Sequence, residues 1–183
     1  MKTAIAIAAV LLVFTGLMAW IYRRTVGVAE ETAEITQLRK IYGAWYLYGQ
    51  DWNGAVAQNL YDVRNRLPDD QFLSSSRDPF LKRPGPFPAD PAIWDSGRTN
   101  PVRVSFSYLG AFAAEGKVKV QWETTLENPR AGLIANPFAG GVIPTGSGWE
   151  FRREGRLTRI SVLGAASTGE KAGLSPASLF GEY

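Results

Sequence analysis

The chain has 183 residues, 45% of them hydrophobic and 20% charged, which fits one folded domain with an attached segment and excludes wholesale disorder. Histidine and cysteine are both absent, so disulfides, Cys/His zinc sites, thiol nucleophiles and Ser-His-Asp arrangements are excluded. The net charge of +3 traces to Lys2, Arg23 and Arg24; from Thr25 onward 17 basic residues face 17 acidic ones, and a neutral body gives no field for nucleic acid.

Thr3 to Tyr22 is a run of 20 uncharged residues. At about 1.5 Å per residue it spans roughly 30 Å, the thickness of a bilayer's hydrocarbon layer. Ile5, Leu11, Phe14 and Trp20 are its predicted membrane-facing residues, and Trp20, Tyr22, Arg23 and Arg24 end it as an interfacial anchor does. A cleaved signal peptide is the rival reading; against it stand the length of the run and the bulky Leu17 at the best cleavage site, Leu17-Met18-Ala19. A buried soluble helix is the third reading, but such helices rarely lack a polar face over this length. Lys2 favours a cytoplasmic N-terminus and Arg23-Arg24 favour the reverse, so charge alone leaves orientation open.

Past the anchor (1–24), the pattern predicts an amphipathic helix over 25–54. Ile35, Leu38, Tyr42 and Trp45 form a stripe at spacings of three and four, and Ile41, Ala44 and Tyr48 widen it. Gly27 is the weak point of this long helix, and Asp51-Trp52-Asn53-Gly54 stops it near Gly49 or Gln50. A loop-rich β domain is expected over 55–183. It opens with a short helix in Gly54–Arg66, with Val56, Leu60 and Val63 on one side. Seven prolines between Leu67 and Pro101 then make a loop region, held by Phe72, Phe80, Phe87 and Trp94.

Strands are predicted where Val102, Val104, Phe106 and Tyr108 alternate with polar residues, and again where Val118, Val120 and Trp122 do so. The Gly110–Gly116 connection would join them as a hairpin. Trp149 and Phe151, turning at Glu154-Gly155 into Arg156–Leu163, predict a second hairpin. The intervening Asn128–Gly148 is rich in Gly and Pro, and the tail from Gly164 is expected to pack weakly. The resulting class is α+β, a long helix on one face of a small antiparallel sheet.

Little of the sequence reads as catalytic. Asp69-Asp70 read as turn residues. Asp51-x-Asn53-Gly54 is a fragment of a calcium loop without its remaining ligands, and Gly146-Ser147-Gly148 lacks the lysine of a phosphate loop. No cofactor and no metal is expected. Trp45, Tyr48 and Trp52, with Tyr46, are the candidate interaction surface, either for a partner or glycan or as packing of the sheet.

The long apolar helix, its amphipathic continuation and the antiparallel sheet resemble a type IV pilin or type II secretion pseudopilin. Two stretches carry the likeness. Gln37 to Gly54 is similar to the helix end of bacterial pseudopilin-like proteins, and Trp149 to Arg159 resembles their C-terminal hairpin, with Glu154, Gly155 and Arg156 where the family has Asp-Gly-His. Ser76–Pro79 sits where the group often has Cys-Pro-Ser-Asp. Prepilins carry a Gly-Phe cleavage site and a glutamate in the apolar helix; this chain has Lys2-Thr3, Ile5 and no acid there. The resemblance implies a non-enzymatic structural subunit of a pilus-like or secretion assembly. It would be anchored in the cytoplasmic (inner) membrane by a single pass, with the C-terminal domain exported to the periplasm or surface. Its partners would be the bilayer and sister or other pilin-like subunits, with Gly16, Ala4, Ala6, Ala8 and Ala9 permitting close approach. The alternatives are a membrane-tethered binding module that never assembles, and an envelope hydrolase built on a carboxylate pair.

Overall fold

A computed structural model of the chain describes residues 2–76, 78, 104–140, 142–145, 148–151, 155–171, 175–181 and 183. It divides into two compact units, Met1–Glu34 and Ile35–Tyr183.

Helix α1 runs without a break over Lys2–Asp51, through Gly27. Within α1, Ala9–Asp51 is long and apolar enough to cross a membrane, and its apolar window is wholly unburied. Leu11, Phe14 and Trp20 are all exposed there, while the side chain of Ile5 lies outside the described set. Thr15 Oγ1 donates to the Leu11 carbonyl at 2.8 Å, so its hydroxyl is satisfied within the helix, as a lipid environment demands. The Arg24 guanidinium lies 5.5 Å from the centre of the Trp20 ring, the arrangement expected of an aromatic and a cation sharing a membrane interface.

In the second unit, α1 ends one residue past the predicted stop. Asn53 (φ 54°) and Gly54 (φ 83°) are both left-handed, and the Gly54 amide reaches back to the Gly49 carbonyl at 2.7 Å. The short helix predicted in 54–66 is a 3₁₀ helix over Leu60–Arg66. Asn59 and Asp62 close it with a reciprocal capping box, and Leu60 and Val63 are buried as expected. A second 3₁₀ turn spans Asp70–Leu73, and Asp69 caps it by accepting from the Gln71 amide at 2.9 Å. Gln37 ties this turn to α1, its amide donating to the Phe72 and Ser74 carbonyls at 2.7 and 2.9 Å. Phe80, Phe87 and Trp94 lie outside the described residues.

Four antiparallel strands form the main sheet in the order β1 (Ser107–Tyr108), β2 (Gly132–Asn136), β5 (Gly155–Ser161), β6 (Ala166–Lys171). Strands β3 (Val142–Thr145) and β4 (Gly148–Phe151) form a separate pair. Ile134, Ile160 and Val162 pack with Leu38, Ile41, Ala44 and Trp45 of α1. A second cluster, Ala135, Leu157 and Phe138, packs with Leu109 and Phe112 of α2 (Leu109–Ala114) and Leu179 and Phe180 of α4 (Pro176–Phe180). The class is α+β, with a long helix against a small antiparallel sheet and short helices in the second cluster.

Three expectations are corrected. The hairpin of 102–108 with 117–123 does not form. Leu109 to Ala114 is helical, as an alanine-rich segment favours, and Trp122–Thr125 is a helical turn, α3. Val118 and Val120 pack against the second cluster without a ladder, and Val102 lies outside the described residues. The partner of β1 is β2, inside the Gly/Pro-rich stretch. Second, Trp149–Phe151 pairs with Val142–Thr145, while Gly155–Ser161 is central and pairs with β2 and β6. Third, the tail from Gly164 packs firmly: it supplies an edge strand and then α4, where Leu179 and Phe180 are fully buried.

Candidate functional site

The aromatic residues near the end of α1 are placed by different means and do different work. Trp45 belongs to the core: it is 8% exposed, and its Nε1 donates to Tyr108 Oη at 2.8 Å. Tyr108 Oη in turn donates to the Ala57 carbonyl at 2.7 Å, so a buried relay ties the helix to β1 and to the segment after the turn. Tyr48 is half-buried, with the Arg66 guanidinium 5.3 Å from its ring centre and the Trp52 ring tilted 6.1 Å away. Arg66 also donates from Nε to Asp51 at 3.1 Å, which engages the carboxylate of the calcium-loop fragment. Trp52 is 60% exposed and is the surface residue of the three.

Beside them a groove of about 420 Å³ is walled by Tyr42, Trp45, Tyr46, Leu126, Val162 and Leu163. Tyr42 stacks with Trp45 and Tyr46 at centroid distances of 5.8 and 6.4 Å. Its hydroxyl donates to the Val162 carbonyl at 3.1 Å. Gly164 (φ 81°) seats that ring, since a Cβ there would lie 2.9 Å from Tyr42 Cε1. Burial raises the Tyr42 hydroxyl pKa above its ordinary 10.0, and the neighbouring Tyr46 adds to the shift; both lie well past the apolar stretch that ends at Tyr22. Tyr46 and Leu163 are exposed on the rim. Sequence reading missed Leu163, although strand parity points to it: Ile160 and Val162 face inward, so the next residue faces out.

Ser105 Oγ donates to Asp78 Oδ2 at 2.7 Å and Asn136 Nδ2 donates to Ser75 Oγ at 3.1 Å, all four residues being buried. This network ties Ser75 and Asp78 to Asn136 of β2 and to Ser105. Among the described residues no group of three Asp or Glu side chains gathers. Residues 146, 147 and 154 lie outside the described set. The groove presents an apolar, aromatic-walled surface.

No family model, curated protein or solved structure matches the chain.

Proposed function

We propose that the protein is a non-enzymatic structural subunit of a pilus-like or type II secretion-like assembly. The apolar half of α1 holds it in the cytoplasmic membrane, and the α+β unit stands on the exported side. The observation that carries this reading is the single unbroken helix: residues of one α-helix supply first a lipid-compatible stretch and then the stripe that covers a sheet. The pilin resemblance of residues 37–54 adds to it. In assembly, the apolar helix would leave lipid for sister helices, with small residues such as Gly16 at the contacts.

Because the chain has no cysteine, a single introduced thiol is unique. With Val13→Cys in native membranes, mild oxidation gives a cross-linked dimer if helices pack together and only monomer if they do not. Lys119→Cys, on an exposed residue, reacts with a membrane-impermeant maleimide in intact spheroplasts if the domain is exported.

A second reading, a membrane-tethered binding module, is favoured by the groove with Tyr46 and Leu163 exposed on its rim and by the exposed Trp52 nearby in sequence. It is supported instead if Val13→Cys stays monomeric.

A further inference from the structure

A second concave site lies away from the aromatic groove, on the hairpin of β5 and β6. The residues Arg159, Ser161 and Ser167 meet there for reasons of register. Arg159 and Ser161 are two apart on β5 and share a face, and Arg159 stands directly opposite Ser167 on β6. Arg130 joins from the turn before β2, where Asn128 Oδ1 accepts from the Arg130 amide at 3.0 Å, and the Ala131 carbonyl accepts from Val162 N at 3.0 Å. Together with Pro129, Ala165 and Gly181 they enclose a cavity of about 400 Å³.

Its chemistry is one-sided. Two guanidinium groups line it, and among the described residues no Asp or Glu joins its lining. Among the described residues neither Arg130 nor Arg159 has a side-chain hydrogen bond or ion pair. Ser161 Oγ already accepts from the Ala165 amide at 3.1 Å, which leaves its O–H to donate, and among the described residues Ser167 Oγ has no hydrogen-bond partner. Gly181, at φ 72°, leaves room for the Arg159 head: a Cβ there would lie 3.1 Å from Nη1. Ser161 is buried and Arg159 half-buried at the floor of the cavity, while Arg130 and Ser167 stand exposed at its mouth. A bound oxyanion would accept charge-assisted hydrogen bonds from both guanidinium groups and from the serine hydroxyls.

We propose that this cavity binds a phosphate group, held by the guanidinium groups of Arg130 and Arg159 and the hydroxyls of Ser161 and Ser167. Arginine's planar fork matches a tetrahedral oxyanion, which a lysine ammonium does not. Such a group can belong to a soluble phosphorylated compound or to the headgroup of an anionic phospholipid.

The test uses the full chain in non-ionic micelles, titrated with inorganic phosphate by calorimetry. Saturable binding is expected, weakened about 10-fold or more by Arg159→Ala and by Arg130→Ala, because each removes a charge-assisted partner. Arg159→Lys is expected to bind more weakly than wild type while keeping the charge. Arg156→Ala, on the same strand but outside the cavity, is expected to bind as wild type does. Unchanged circular dichroism melts show that each variant is folded; Arg130, being exposed, keeps the test open if Arg159→Ala is not. Doping the micelles with phosphatidylglycerol, against phosphatidylcholine as control, separates the sources. Competition by the anionic lipid alone, lost in Arg159→Ala, marks a headgroup site; undiminished phosphate binding marks a soluble ligand. Absence of saturable binding, or equal affinity in wild type and both alanine variants, overturns the proposal.

Discussion

Trp45 and Tyr108 meet through a 2.8 Å hydrogen bond from indole to phenol oxygen, one on the long helix and the other on the first strand. The phenol donates its own hydrogen bond to the Ala57 carbonyl. One tyrosine thus satisfies two buried groups from two different segments. Tyr108→Phe is expected to leave both unpaired and to cost about 2–3 kcal/mol in urea unfolding. Trp45→Phe removes the donor along with the bond and is expected to cost less.

The same tyrosine makes Gly110 irreplaceable. Its ring folds back over the glycine, where a Cβ would collide with the Tyr108 ring atoms. Gly110→Ala is expected to destabilise by about 1–3 kcal/mol through overpacking. Gly43, in α1, has open space where its Cβ would stand, so Gly43→Ala is expected to stabilise by up to about 1 kcal/mol. Opposite signs for two Gly→Ala changes, read from unfolding midpoints, check both packing statements.

Trp45 and Trp52 are separated by the same comparison. Trp45→Ala, in the core, is expected to cost about 3–5 kcal/mol. Trp52→Ala, on the surface, is expected to cost about 0.5 kcal/mol or less. If the groove is a contact surface, Tyr46→Ala and Leu163→Ala weaken partner capture without lowering the unfolding midpoint.

Tyr42 sets an alkaline limit. Its folded pKa lies above the unfolded value of 10.0, because burial and then Tyr46 oppose the phenolate. The neutral hydroxyl is therefore the form the fold prefers. This contribution is present in full below pH 10 and is lost as pH rises through the folded value. Tyr42→Phe is expected to show a smaller stability loss above pH 10, measured by denaturant unfolding across the alkaline range.

How much of this was legible from the residues follows from which signals are local. The stripe of Leu38, Ile41 and Trp45 and the stop at Asn53-Gly54 were readable, because helix periodicity and left-handed turn residues act over a few positions. Strand β2 was not: Gly132 to Asn136 is buried throughout, so it shows no alternation to find. Val118 and Val120 gave the converse error, alternating because one side meets the second cluster while no strand pairs with them. Ser175-Pro176 was a helix start in plain view, with Ser178 N donating to Ser175 Oγ at 3.3 Å, but its meaning depends on the cluster that buries Leu179 and Phe180. The Arg130–Arg159 cavity requires strand register, which no local pattern encodes.

The bond between Tyr42 and Val162 joins positions 120 residues apart. During synthesis at about 5–20 residues per second, the helix stripe is made on the order of 10 s before the strand that covers it exists. For that interval a greasy, aromatic helix face stands bare. A nascent chain in that condition needs a protected path, and the bilayer beside the apolar stretch or a chaperone holding Leu38 to Trp45 would supply one. Slowing synthesis between residues 50 and 130 would lengthen this exposure and raise the fraction lost to aggregation, without altering any residue of the finished fold.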